Sequence, residues 1–231
     1  MTRPVAAAWL VLAGIALSAG SAAAQSPPGE KLYRWTIAGG FTWAGSYPIG
    51  ESNADLVQNA TGVPPPRLRL FSAASSFEST PGLDGRFGFA ITPRLTVEVG
   101  GVYSKPTLTV AISDDTEGEA TTFDGETISQ YVVDVSVLFE LPVAGRTARV
   151  RPYVIGGVSY LRQLHEEETL VETGQLYHVG GGARVFLRGA ATGHPLGIRG
   201  DVQATVRRDG IEFEGQRRVL PTASVLVFFG F

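Results

Sequence analysis

The chain has 231 residues, of which 44% are apolar, 29 are glycine and none is cysteine, and its formal net charge is −3. Without cysteine there is no disulfide, no thiolate metal centre and no lipoprotein anchor. The mild acidity and the lack of a basic tract argue against a nucleic-acid partner, whose footprint is a basic patch.

The amino terminus reads as an export signal. Met1-Thr2-Arg3-Pro4 carries one positive charge, Val5 to Leu17 is apolar, and small residues lead to Ala22-Ala23-Ala24-Gln25. This is the pattern of a secretory signal peptide cut after Ala24. The apolar run is too short for a membrane helix, which needs about 20 residues. Residues 1–24 are therefore expected as signal peptide and 25–231 as one domain of 207 residues. Its formal charge is −4, because the leader removes one arginine and no acid. No later apolar run is long enough to cross a membrane as a helix.

Period-two alternation predicts eight strands. In the first, about 33–45, Tyr33, Trp35, Ile37, Phe41 and Trp43 alternate with Arg34, Thr36, Ala38, Thr42 and Ala44. The second covers about 82–91, with Leu83, Phe87, Phe89 and Ile91 opposite Asp84, Arg86, Gly88 and Ala90. Thr92-Pro93-Arg94 is a tight turn, since proline cannot donate to a ladder. The third starts at Leu95 with Val97, Val99 and Tyr103 opposite Thr96 and Glu98. Its phase shifts near Lys105-Pro106, where a bulge would carry the strand on through Leu108, Val110 and Ile112.

The fourth spans about 128–141, with Tyr131, Val133, Val135, Val137, Phe139 and Leu141 opposite Gln130, Asp134, Ser136 and Glu140. The fifth is about 149–161, the sixth 176–187 and the seventh 196–207. In the fifth, Arg151 shares parity with Tyr153 and Ile155. Either the phase slips at Pro152 or the arginine snorkels at a membrane edge. In the seventh, Ile198, Val202, Ala204 and Val206 oppose Arg199, Asp201, Gln203, Thr205 and Arg207. The eighth ends the chain, with Ala223, Val225, Val227, Phe229 and Phe231 on one face.

Connections at 46–81, 113–127, 162–175 and 208–219 are long and polar; those between them are short. Long outer loops and short periplasmic turns produce this alternation. Val63-Pro64-Pro65-Pro66 forbids regular sheet in the first long segment, and Arg67 to Phe71 beyond it is either a rim extension or an unpaired loop.

The polar face decides what the apolar face meets. It carries Arg34, Arg86, Arg184, Arg199 and Arg207 together with Asp84, Glu98, Asp134, Glu140 and Asp201, five of each sign among small residues. Opposite charges among small side chains suit the narrow filled interior of an eight-stranded barrel, where pairing avoids a lone buried charge. A solvated surface would use more lysine, yet there are only Lys31 and Lys105. Aromatics near the strand ends, among them Tyr33, Trp35, Trp43, Tyr103, Tyr131, Phe139, Tyr177 and Phe229, suit headgroup-level girdles. The fold class expected is all-β, an eight-stranded antiparallel up-and-down transmembrane barrel whose first and last strands pair, because lipid leaves no edge satisfied.

The leader, Leu83-Asp84-Gly85-Arg86-Phe87-Gly88-Phe89-Ala90-Ile91-Thr92-Pro93-Arg94-Leu95, Arg151-Pro152-Tyr153-Val154-Ile155-Gly156-Gly157 and the terminal aromatic strand together resemble the small outer-membrane β-barrel family of the OmpA-transmembrane-domain and OmpX type. The resemblance covers nearly all of 25–231. It implies a Gram-negative outer-membrane location among lipid and lipopolysaccharide, a monomeric state, and insertion by the barrel assembly machinery. Val225, Val227, Phe229 and Phe231 would form the assembly signal. A following peptidoglycan-binding domain is not expected.

Some small outer-membrane barrels modify lipid A. Those need a serine near a histidine oriented by a carboxylate. His165 precedes Glu166-Glu167-Glu168 in an outer loop, His178 lies on the inward parity near the top of the sixth strand, and His194 lies in a short turn. None is followed closely by serine in that family's pattern, so no catalytic residue is expected, although His178 can still meet an interior acid. Asp114, Asp115, Glu117, Glu119, Asp124 and Glu126 offer oxygen ligands without EF-hand spacing, and runs of acids are usually solvated. No metal or cofactor is expected, and Asn59-Ala60-Thr61 is uninformative in a bacterial chain. The function expected is structural or surface-interactive in the envelope. The alternatives are a narrow solute channel, a lipid-A-modifying enzyme and a soluble lipocalin-like barrel.

Overall fold

The protein is described by a computed structural model over residues 33–57, 67–114, 120–142, 149–164, 171–188, 194–208 and 219–231. The signal peptide, the sequon, His165 and its acids, and Asp115, Glu117 and Glu119 lie outside the described residues.

Eight antiparallel strands close into a barrel: β1 (Trp35–Ala44), β4 (Thr80–Ala90), β5 (Leu95–Ser104), β8 (Ser129–Glu140), β9 (Val150–Leu164), β10 (Val171–Arg188), β11 (Leu196–Arg208) and β12 (Val219–Gly230). β1 pairs with both β4 and β12, so no barrel edge is left open. The seam is finished by Trp35 and Phe231, which exchange two backbone hydrogen bonds of 3.0 and 2.9 Å. The Thr92-Pro93-Arg94 turn is fixed by Leu95 N–H donating to Thr92 Oγ1 at 3.0 Å, while Ile91 N–H donates to Leu95 O at 2.8 Å.

The side chains alternate strictly, with the charges inward. Phe41, Val179, Val202 and Val225 point outward and are more than 60% exposed, whereas Glu98, Arg184 and Arg199 are at most 2% exposed. This is the inverse of a water-soluble barrel, whose apolar side chains face in. Trp35 contacts Phe87 and Phe89 at centroid distances of 5.3 and 4.6 Å, and Tyr103 meets Tyr131 at 5.0 Å, so both ends of the outer face carry paired rings.

A second sheet departs from the expected pattern. β2 (Tyr47–Val57), β3 (Arg67–Phe77), β6 (Thr107–Ser113) and β7 (Thr121–Thr127) form a four-stranded sheet in the order β2-β3-β6-β7. The first two long connections are therefore not plain loops. Arg67 to Phe71 is neither barrel rim nor unpaired, but the first half of β3, paired with β2. The bulge expected at Lys105-Pro106 is also corrected. The chain leaves the barrel after Ser104, and Leu108 to Ile112 pair with β3 instead of continuing beside β8. Pro106 explains the break, since it cannot donate to a continuing ladder. Burial explains the new direction: Tyr47, Ile49, Phe77 and Ile128 form a buried apolar cluster, with Leu108 and Leu220 packed on it. The pair β9 and β10 also runs past the expected ends, with Val171 opposite Leu164.

Val135, in the middle of β8 opposite Val99 and Val158, faces outward. Val135→Arg is expected to destabilise the barrel by about 2–4 kcal/mol if it sits near midplane. Urea unfolding in phospholipid vesicles measures this, and an unchanged unfolding free energy would remove the outward face from contact with lipid.

Candidate functional site: the barrel lumen

The inward side chains form two tiers. Toward the short-turn end, Arg199 Nη1 donates to Glu98 Oε2 at 2.5 Å and its Nε to Asp201 Oδ2 at 3.0 Å. Arg184 Nη2 donates to Glu98 Oε1 at 2.8 Å and its Nη1 to Glu140 Oε1 at 3.0 Å. Arg151 reaches Glu140 Oε2 at 3.5 Å. Tyr153 O–H donates to Asp201 Oδ2 at 2.7 Å and its oxygen accepts from Arg199 Nε at 2.8 Å. The guanidiniums also lie over rings: Arg199 is 5.0 Å from the centroid of Tyr153, Arg184 is 5.6 Å from Phe228, and Arg151 is 4.7 Å from Phe186. Leu138, Ile155 and Leu226 fill the space between them. Buried charges bonded on several sides and backed by aromatic faces are stable where a single one would not be.

Above this tier, Arg86 donates to Asp84 through Nε (3.1 Å) and Nη2 (2.9 Å), and its Nη1 lies 3.8 Å from Asp134 Oδ2. Asp134 accepts from Ser136 Oγ at 2.5 Å, Ser136 Oγ lies 2.9 Å from His178 Nε2, and Ser159 Oγ lies 3.3 Å from His178 Nδ1. Ser136 has one proton, and the short contact directs it to Asp134. His178 Nε2 then carries its hydrogen and donates to Ser136, while Nδ1 accepts from Ser159. In a catalytic triad the histidine accepts the serine proton and donates to the carboxylate; here the serine stands between the two. Nearer the rim, Arg207 donates to Gln163 Oε1 at 2.8 Å, and Gln163 donates to Gln130 Oε1 at 3.0 Å.

Cross-strand rows explain how these groups meet. Ser136 and His178 both stand opposite Gly157, one on each side of it, and a Cβ at Gly157 would lie 2.8 Å from His178 Nε2. Tyr153 and Asp201 flank Gly182 in the same way, and a Cβ there would lie 2.7 Å from the tyrosine hydroxyl. A glycine on the middle strand lets two long polar side chains touch across it.

Of the ten charges expected inside, the structure brings Asp84, Arg86, Glu98, Asp134, Glu140, Arg184, Arg199, Asp201 and Arg207 into the lumen. Arg34 is a correction: it precedes β1 and is exposed, because strand parity does not extend beyond the strand. Tyr33 turns inward for the same reason, packing near Phe186 at 6.5 Å and against Gly230 instead of joining the outer girdle. Arg151 neither follows a phase slip nor snorkels outward. The pairing runs unbroken through Pro152, and Arg151, Tyr153 and Ile155 all face the lumen. Val225, Val227, Phe229 and Phe231 all point outward on β12 and the residue after it. His194 is exposed and stacks on Phe229 at 6.4 Å. The inward aromatics Phe186 and Phe228 escaped the sequence pattern, since apolar residues on the polar parity carry no distinguishing signal. Among the described residues no group of three or more His, Asp or Glu could hold a metal.

Removing Arg199 leaves Glu98 with Arg184 as its remaining cation and leaves Asp201 buried with neutral donors alone. Arg199→Ala is expected to cost about 3–5 kcal/mol of unfolding free energy. A loss below about 1 kcal/mol, the range of exposed pairs, would show that the tier is solvated.

No protein-family model matches the chain, and no curated protein matches it. Solved structures do. The outer membrane protein OprG from Pseudomonas aeruginosa shares 16% identity over 87% of this chain and 95% of its own, with a TM-score of 0.45. The outer membrane protein AlkL, determined in lipid bilayers, shares 14% identity over 90% and 95%, with a TM-score of 0.37. The β domain of the Bordetella autotransporter BrkA shares 11% identity over 87% and 100%, with a TM-score of 0.38.

Proposed function

We propose that this chain is a monomeric outer-membrane barrel of the small OmpA-transmembrane-domain and OmpX type, exported by its leader, with a structural or surface-interaction role. The barrel fold is consistent with an outer-membrane location. On this reading its outer face meets lipid and lipopolysaccharide, the β12 aromatics serve the assembly machinery, and the sheet of β2, β3, β6 and β7 is held outward. It acts without catalysis, cofactor or nucleic acid.

The observation that carries the reading is the closed lower tier. Glu98, Arg184, Arg199 and Glu140 join across the lumen and pack on Tyr153, Leu138 and Phe228. A solute crossing the barrel would have to separate buried ion pairs. Ser136 Oγ stands between Asp134 and His178, whereas a triad places the histidine between serine and carboxylate, and this order supports the non-catalytic reading.

Planar-bilayer recording tests this directly. The unmodified protein is expected to show no sustained conductance, while Glu98→Ala combined with Arg199→Ala, which empties the centre of the tier, is expected to conduct. Steady current through the unmodified protein would replace this reading with the narrow solute channel. Mass spectrometry of lipid A incubated with the protein is expected to show no change; loss or transfer of an acyl chain would make it an enzyme.

A further inference from the structure

Above the closed tier the lumen is hollow. A cavity reaches down to Arg86, Asp134 and His178. A second continues upward to Gly45, Glu78 and Pro106. The two share Ala44, Thr80, Gln130, Leu176, Thr205 and Leu220 as walls, so they form one blind vestibule under the loop-bearing rim. The space open to water is about 80 Å³ in the lower cavity and about 40 Å³ in the upper, room for several water molecules.

Several lining side chains are bonded within the wall, among them Thr80, Ser159 and Ser224, but four others keep hydrogen-bonding capacity. The hydroxyls of Ser104 and Thr205 meet no protein partner among the described residues. Gln130 uses its carbonyl on Gln163, which leaves its amide hydrogens to donate. Gln203 donates to Asp201 at 2.7 Å, which leaves its carbonyl to accept. These donors and acceptors come from three different strands, β5, β8 and β11, and face one space.

Charge narrows the class of ligand. The lower cavity is lined by one arginine and one acid, Arg86 and Asp134, besides His178; the upper by Arg207 and Glu78. Neither sign is in excess, so an ion gains nothing from the wall to replace its hydration. Donors and acceptors intermingle instead, and the upper wall adds the apolar surfaces of Tyr47, Phe77, Leu161, Leu176 and Leu220. A molecule with hydroxyls that both donate and accept, and with a C–H face for apolar contact, matches both halves.

We propose that the vestibule is a binding site for an uncharged polyhydroxylated ligand of the saccharide class, entering from the loop-bearing side. This rests on the blind-barrel reading, because the closed tier forms the floor. The sugar could be a free saccharide or part of a surface polysaccharide, and the test separates the two.

The full-length protein, processed and folded in phospholipid nanodiscs without lipopolysaccharide, is titrated with neutral mono- and disaccharides in one arm and with delipidated O-polysaccharide in the other. Saturation-transfer NMR and calorimetry report binding. Saturable binding in either arm is expected, and the arm that binds names the source. Thr205→Val and Ser104→Ala, which remove single hydroxyls, are expected to weaken it about three- to tenfold. Leu176→Trp, which fills the shared wall, is expected to abolish it, with the heat-dependent gel shift confirming a folded barrel. Lack of saturable binding in both arms, or binding that the folded Leu176→Trp protein retains, overturns the proposal. The same nanodisc protein moved to a planar bilayer keeps the two readings apart: no binding with no current defeats the saccharide site alone, and current defeats the closed floor.

Discussion

For a barrel in lipid, as we propose this one to be, hydrocarbon offers no hydrogen bonds to the backbone, and that constraint dictates most of the fold. Each strand must find partners on both sides, so β1 takes both β4 and β12, and the terminal Phe231 completes the seam with Trp35. Closure then fixes polarity. With eight strands the interior is too narrow for an aqueous channel, so polar side chains turned away from lipid must satisfy one another. The Arg199 and Arg184 tier is the consequence, with Glu98 shared between both guanidiniums.

That narrow interior explains why glycine and charge occur together. Ser136 meets His178 only because Gly157 lies between them, and Tyr153 meets Asp201 only across Gly182. The polar network and the glycines beside it act as one unit. A methyl group at either position would press on the network rather than on solvent.

The barrel was legible because period two survives in every wall strand and because the charges of both signs share one parity. Other features were hidden for physical reasons. Leu108, Val110 and Ile112 resume a period of two after the phase shift, but alternation does not record which sheet a strand joins. Arg34 has the right residue type one position too early. Tyr153 and Ile155 share parity with Arg151 because the lower lumen is packed by rings and aliphatic groups as well as by ion pairs, which a binary polar-apolar rule misreads. The contact between Ser136 and His178 spans 42 residues. Only the cross-strand register through Gly157 could have revealed it, and register depends on turn lengths that the sequence leaves open by a residue or two.

The two halves of the lumen treat polarity differently, and the difference points outward. Below, nearly every charge is matched and backed by an aromatic ring or an aliphatic side chain, as stability in a closed space demands. Above, hydroxyls and amides stand around open volume. A barrel needing only to fill its interior would be served as well by apolar packing there, as it is around Leu138 and Tyr153. Placing hydroxyls and amides around open volume at the loop-bearing end makes sense if that end meets polar molecules from outside while the floor keeps them from crossing.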